Sequence, residues 1–191
     1  MLHFFLHGWK TSIDSEKNRI FFQNICKEGD RILVLPFAFD KAAWQESFEA
    51  IKTRCIKYNP DKHIMFTCAN DESNALIQQI IDHDVLYFSW WLEDGHLRVM
   101  QQISELEKIF QNKRIVWISA GANMLATSYY TQDFERVETG LKVLPIKIIC
   151  HRGSDYSLAR TDAERLADLE AYGEPLPVYK IPEQEYIEME I

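Results

Sequence analysis

A serine stands where a predicted strand turns into a helix. Ser119 follows the apolar run RIVWI and is itself followed by AGAN. A serine on such a turn is lifted out of the sheet, and small neighbours let a substrate carbonyl group and backbone N–H groups approach it closely. The pattern is typical of a nucleophile, although the same small residues also suit a helix that packs closely on a sheet.

A histidine stands at the end of a second predicted strand. His151 directly follows the apolar segment LPIKIIC. A serine hydroxyl needs a nearby base to become nucleophilic at neutral pH, and imidazole is the usual one. In open α/β sheets, sites form beyond the carboxyl ends of the strands. We therefore expect Ser119 and His151 to lie at one edge of the sheet as a nucleophile and its base.

The elements that must position these two residues alternate along the chain. Strands are predicted at 2–6, 31–35, 63–67, 85–88, 114–118 and 146–150, with a late edge strand at 178–181. Helices are predicted from Asp14 or Ser15 to about 27, at 41–58, from Asp71 to 81, at 97–110 and at 162–171. This alternation is typical of an α/β fold, and we expect a single domain over 1–191.

The composition excludes several classes of function. The formal net charge is −8, which argues against a nucleic-acid partner. We see neither a signal peptide nor an apolar run near the roughly 20 residues that span a bilayer, so we expect a soluble protein without a membrane partner. The cysteine usage, which indicates no disulfide framework, fits a reducing cytoplasm best. The four cysteines, six histidines and seven glycines show no metal-ligand, disulfide or dinucleotide-binding spacing, and we expect no cofactor and no metal.

These residues resemble peptidase E and its relatives, family S51 of the serine peptidases. The family carries its nucleophile in a G-x-S-A-G-A-[NM]-like turn, and WISAGAN at 117–123 resembles it, with Trp117 in place of the first small residue. Cys150-His151 resembles the later strand end, and the order of elements agrees over nearly the whole chain. The resemblance implies a three-layer, doubly wound, mostly parallel sheet of the flavodoxin or class I glutamine amidotransferase type. It also implies a serine-type, dipeptidase-like hydrolase that cleaves small peptides.

The resemblance implies a third member of a catalytic triad. In the family a carboxylate between the serine and the histidine orients the imidazole, and Asp133 lies at about the right separation. Glu135 and Glu138 are nearby alternatives, and an ordinary loop or helix-cap role for Asp133 stays open.

Further residues are implied in substrate binding. The backbone N–H groups of Ala120 and of the loop at Ser89 and Trp90 would receive the oxyanion. Asn123 belongs to the matching turn and is assigned to the same site. Arg160 lies in a basic segment after the histidine and could form two hydrogen bonds with a substrate carboxylate.

One departure from the family leaves the function open. Members have a glycine-rich loop after the fourth strand, whereas this chain reads FSWWLEDG at 88–95. Trp90 and Trp91 resist the dihedral angles and close approaches that glycine permits. The alternatives are a non-catalytic ligand-binding or regulatory domain, and an amidotransferase-like or esterase activity on the same fold. A homodimer would be favoured if Trp9, Tyr129 and Tyr130 form an exposed aromatic patch.

Overall fold

The computed structural model describes residues 2–89, 99–100, 102–103, 106–132, 134–152 and 159–191. The strands of this part of the chain are β1 His3–His7, β2 Arg31–Leu35, β3 Met65–Cys68, β4 Val85–Phe88, β5 Arg114–Ile118, β6 Ala126–Thr131, β7 Arg136–Thr139, β8 Leu144–Arg152, β9 Val178–Pro182 and β10 Tyr186–Glu190. The α-helices are α1 Glu16–Ile25, α2 Trp44–Tyr58, α3 Ser73–Asp82, α4 Leu106–Ile109, α5 Ala120–Leu125 and α6 Asp162–Ala171, and a 3₁₀ turn at Lys41–Ala43 precedes α2.

The strands form two mostly parallel sheets. The larger sheet has the order β10-β1-β5-β4-β2-β3, and only its edge strand β10 runs antiparallel to its neighbour. The smaller sheet has the order β7-β6-β8-β9, with β7 antiparallel to β6. The predicted α/β fold with a mostly parallel arrangement is confirmed. The strands are divided between two hydrogen-bonded sheets, and the short helix α5 carries the chain from β5 in the larger sheet to β6 in the smaller one.

Side-chain alternation along the central strands places a core on each face of the larger sheet. In β5, Ile115 and Trp117 belong to one buried cluster, whereas Val116 and Ile118 belong to the other. Successive side chains of a strand point to opposite faces, so both faces of this strand are covered. Helices α1 and α2 contribute to the second cluster and α3 to the first, which gives the three expected layers.

Local signals explain where two of the helices begin. The side chain of Ser15 accepts a hydrogen bond from the N–H of Asn18 at the start of α1. Thr161 and Glu164 form a reciprocal capping box at the start of α6, and that helix has the predicted bounds. The predicted helix at 97–110 is only partly described: residues 99–100 are helical, residues 102–103 form a turn, and α4 lies within its last part, so the continuous helix expected there is not observed in the described residues.

Several sequence-based expectations were incomplete or wrong. The strands β6, β7 and β10 were not predicted, and the strand expected at 63–67 begins two residues later, at Met65. Tyr129 and Tyr130 are only 2% and 1% exposed, because they lie in β6, one of the two inner strands of the smaller sheet. The exposed aromatic patch proposed for a homodimer therefore does not exist in that form. None of the helices in the described ranges is long and apolar enough to cross a membrane.

Candidate active site

Ser119 lies in a strained turn between β5 and α5. Its backbone has φ 56° and ψ −123°, a conformation that a non-glycine residue adopts at a cost of about 1–3 kcal/mol. The N–H of Ser119 donates a 2.8 Å hydrogen bond to the carbonyl oxygen of His7, which extends the pairing of β1 with β5 and fixes the turn. The residue is 7% exposed, so its hydroxyl lies in a largely enclosed place.

The glycine two residues later is required by the packing beneath the turn. A Cβ atom on Gly121 would lie 2.7 Å from Cε3 of Trp117. That indole stacks on the ring of Phe88, with ring centroids 3.7 Å apart, and cannot easily move. The small residues after Ser119 thus serve close helix packing as well as access to the hydroxyl group.

His151 lies near the end of β8, where the pairing with β9 shifts register between Cys150 and Arg152. Its φ of 59° also departs from strand geometry. Irregularities of this kind re-aim a side chain next to a site. The side-chain amide of Gln132 donates to the carbonyl oxygens of Cys150 and His151, at 3.2 and 3.4 Å, and holds this irregular segment.

The two side chains meet between the sheets. Oγ of Ser119 lies 2.6 Å from Nε2 of His151, and we call these two residues the serine–histidine pair. Burial, with a smaller contribution from the positive charge of Lys10, lowers the pKa of His151 to about 4. The imidazole is therefore neutral at pH 7, and its Nε2 can accept the hydroxyl proton of Ser119.

The loop after β1 forms one wall of this site. The indole of Trp9 meets the imidazole of His151 edge-on, with ring centroids 5.2 Å apart. Lys10 forms a 2.5 Å ion pair with Glu183, which follows β9. The loop follows the carboxyl end of β1, the place where sites form in open α/β sheets.

One of the predicted oxyanion donors is already used by the sheet. The N–H of Ser89 and its hydroxyl group both donate to the carbonyl oxygen of Leu35, each at 3.1 Å. The N–H of Ser89 is therefore engaged in the sheet, because the β2–β4 pairing continues one residue beyond β4. Trp90, the other residue named in that loop, lies outside the described residues.

The remaining residues of the matching turn lie beside the pair. Ala120 is the first residue of α5, where a backbone N–H has no acceptor within the helix. Asn123 lies on the same helix and is buried, and its Oδ1 accepts no hydrogen bond from any residue the structure describes. Asp133, the predicted third member of a triad, lies outside the described ranges.

The structure gives other partners to the remaining charged candidates. Arg160 forms an ion pair with Asp168, which raises the pKa of its guanidinium. Glu138 accepts hydrogen bonds from Arg136 and from the hydroxyl of Tyr129. Glu135, the second alternative to Asp133, accepts a 2.7 Å hydrogen bond from the backbone N–H of residue 159. Over the described ranges, no cluster of three or more His, Cys, Asp or Glu side chains could hold a metal ion.

Two solved structures have the same fold as this chain. One is a candidate peptidase E protein from Listeria monocytogenes EGD-e, with a TM-score of 0.65 and 15% sequence identity over 100% of this chain and 99% of that chain. The other is a peptidase from an acI-B1 actinobacterium, with a TM-score of 0.63 and 17% identity over 96% of this chain and 81% of that chain. No protein-family profile matches the chain, and no curated protein matches it significantly. The chain therefore has a peptidase E-like α/β fold.

Proposed function

We propose that this protein is a serine-type hydrolase that cleaves an amide bond in small peptides. The observation that carries the proposal is the 2.6 Å contact between Oγ of Ser119 and Nε2 of a neutral His151. The positive φ of Ser119 supports it, because a strained turn between a strand and a helix is the geometry of a nucleophile elbow. The fold shared with the two solved structures is consistent with this assignment.

The proposed reaction begins with attack of Ser119 Oγ on the substrate carbonyl carbon, while the hydroxyl proton passes to Nε2 of His151. The carbonyl oxygen becomes an oxyanion that accepts a hydrogen bond from the N–H of Ala120. When the intermediate collapses, the C–N bond breaks and His151 returns the proton to the leaving amine. The acyl group is then bound to Ser119 as an ester. Water, deprotonated by the same imidazole, attacks the carbonyl carbon of this ester, and Ser119 recovers its proton from the imidazole as the acid product leaves.

The other predicted site residues belong to the proposal in defined roles. Asp133 would orient the imidazole of His151 and stabilise its protonated form. Asn123 would contact the substrate through its buried carboxamide group, whose Oδ1 accepts no hydrogen bond from the described residues. Arg160 would bind a substrate carboxylate through the guanidinium N–H groups that its contact with Asp168 leaves over. The cytoplasmic location expected from the sequence remains part of the proposal.

One observation favours a second candidate function, a ligand-binding domain without catalysis. The N–H of Ser89, in the loop to which the resemblance assigns oxyanion donors, is already hydrogen-bonded to the carbonyl oxygen of Leu35. The loss of one oxyanion donor costs about 100- to 1,000-fold in turnover in a serine protease. A chain that kept the fold and the serine–histidine pair could thus bind a peptide and hydrolyse it slowly or not at all.

Covalent labelling with a fluorophosphonate probe separates the two functions. We expect Ser119 to be labelled in the wild type, not at all in Ser119→Ala, and about 100-fold or more slowly in His151→Gln, since a general base contributes 100- to 10,000-fold. Ser128→Ala is the matched control, because Ser128 is also a buried strand serine. A folded wild type that is not labelled would refute the hydrolase and favour the ligand-binding domain.

A substrate panel then identifies the class of bond. We expect release of free amino acids from unmodified dipeptides, and loss of this release in Ser119→Ala. Amino-acid p-nitrophenyl esters serve as the comparison, because they need no strong stabilisation of the leaving group. Hydrolysis of the esters without any cleavage of dipeptides would replace the peptidase by an esterase.

A further inference from the structure

A second buried histidine lies beside the serine–histidine pair and has no part in the proposed reaction. His7 ends β1, is completely buried, and its carbonyl oxygen accepts the N–H of Ser119. Its ring makes two hydrogen bonds of 3.1 Å. One joins Nδ1 to the backbone N–H of Trp9, and the other joins Nε2 to Oδ1 of Asn18. The histidine thus connects α1, the loop after β1 and the turn that carries the nucleophile.

The positions of the protons in this network follow from its partners. The carboxamide nitrogen of Asn18 donates to the carbonyl oxygens of Lys10 and Ile13, at 2.8 and 2.7 Å, which fixes the orientation of the amide. Its Oδ1 therefore faces His7, so Nε2 of His7 must be the donor. Nδ1 is then unprotonated and accepts the N–H of Trp9. Burial, which lowers the pKa of His7 to about 4, agrees with this neutral tautomer.

The loop held by His7 is strained and closely fitted. Trp9 and Lys10 have φ of 140° and 57°, both unfavourable for residues other than glycine. A Cβ atom on Gly8 would lie 2.1 Å from the carbonyl oxygen of Pro182. The carbonyl oxygen of Trp9 accepts the N–H of Gln184 at 3.0 Å. The network around His7 is one of the contacts that offset this strain.

The loop in turn places the indole of Trp9 against His151. We propose that His7 is a positioning residue, which holds Trp9 against the imidazole of His151 and so keeps that imidazole in hydrogen-bonding contact with Ser119. This inference rests on the proposed hydrolase function for its kinetic consequence, but its geometric part does not. The side chain of His7 takes no proton from the substrate or from Ser119.

Two conservative variants divide the contacts of His7. His7→Asn keeps an acceptor near the position of Nδ1 and lacks the reach to Asn18. His7→Gln keeps a donor near the position of Nε2 and loses the acceptor for Trp9, whereas His7→Leu removes both. His3→Gln is the matched control, since His3 lies on the same strand and contacts Glu188 at the surface.

Two measurements are made on each variant, the rate of fluorophosphonate labelling at Ser119 and the NMR shifts of the His151 ring protons. We expect His7→Leu and His7→Gln to label about 10- to 100-fold more slowly, the size of effect that a displacement of about 1 Å produces. We expect His7→Asn to retain most of the rate, and the ring-current shift that Trp9 imposes on His151 to decrease in His7→Leu and His7→Gln only.

The outcomes separate the two proposals. If the wild type is labelled and all His7 variants keep both its rate and its His151 shifts, the positioning role is refuted and the hydrolase stands. If the wild type is not labelled, the hydrolase fails, and the ring-proton shifts alone decide the positioning role. If His7→Leu does not fold, the comparison of His7→Asn with His7→Gln decides, because equal behaviour of these two would contradict the role assigned to Nδ1.

Discussion

Two buried neutral histidines should make the stability of this protein depend on pH. His7 and His151 each have a pKa lowered from 6.5 to about 4, chiefly by burial. Between these values the unfolded chain binds protons that the folded chain does not. The free energy of unfolding therefore has its full value above about pH 6.5 and decreases as the pH falls toward 4.

The magnitude follows from the same values. Each histidine that is protonated only in the unfolded chain contributes a slope of about 1.36 kcal/mol per pH unit. At pH 4.5 the loss is about 2–3 kcal/mol for each, and the two add to about 5 kcal/mol. Because the total stability of a domain is about 5–15 kcal/mol, the native state should be close to unfolding at that pH.

Urea unfolding between pH 7.5 and 5.0 measures this slope, in a range where ordinary carboxylates stay ionised. We expect wild-type stability to fall steadily below pH 6.5. We expect His151→Gln and His7→Asn each to show about half of the slope, whatever their stability at pH 7.5. A flat profile for the wild type, or an unchanged slope in both variants, would refute the conclusion that these two imidazoles are buried in the neutral form.

Three further predictions concern packing and charge. Gly121→Ala should destabilise the protein by about 1–3 kcal/mol in urea unfolding, because its methyl group would meet the stacked ring of Trp117. Arg114→Met should lower the free energy of unfolding by about 3–5 kcal/mol in the same assay, since it leaves the carboxylate of Asp30 buried without its ion-pair partner. The double variant that also carries Asp30→Leu should recover part of this loss. Lys10→Met should raise the pKa of the imidazole of the serine–histidine pair in an NMR titration, because the lysine charge lowers it, and an unchanged pKa would contradict that cause.

The core of the site could be predicted because its signals are local. Ser119 and His151 each follow a run of apolar residues, which marks the carboxyl end of a strand. The single sheet edge expected for both was wrong, because β5 and β8 belong to different sheets and the two side chains meet between them. The engaged N–H of Ser89 could not be predicted, because strand pairing beyond the last apolar residue leaves no mark on the sequence. The role of His7 was missed because it depends on Asn18, which approaches only after α1 folds back on the sheet.

The missed strands have physical reasons of their own. The segment of β10 alternates exposed Glu188 and Glu190 with half-buried Ile187 and Met189, which is the pattern of an edge strand and not the continuous apolar run that marks the central strands. In β6, buried Tyr129 and Tyr130 are adjacent rather than alternating, so the period of a strand was not visible. Both faces of such a strand are buried only because the smaller sheet is itself covered.

The most direct test of the central claim is the pH dependence of the fluorophosphonate labelling rate at Ser119. Because the imidazole of His151 is already neutral, we expect a rate that is nearly constant from pH 6 to 8 and that His151→Gln lowers by about 100-fold or more. A hydroxyl group without a base would instead give a rate that rises about tenfold per pH unit. Such a rise, together with an unchanged rate in His151→Gln, would contradict the role of His151 as the base of Ser119.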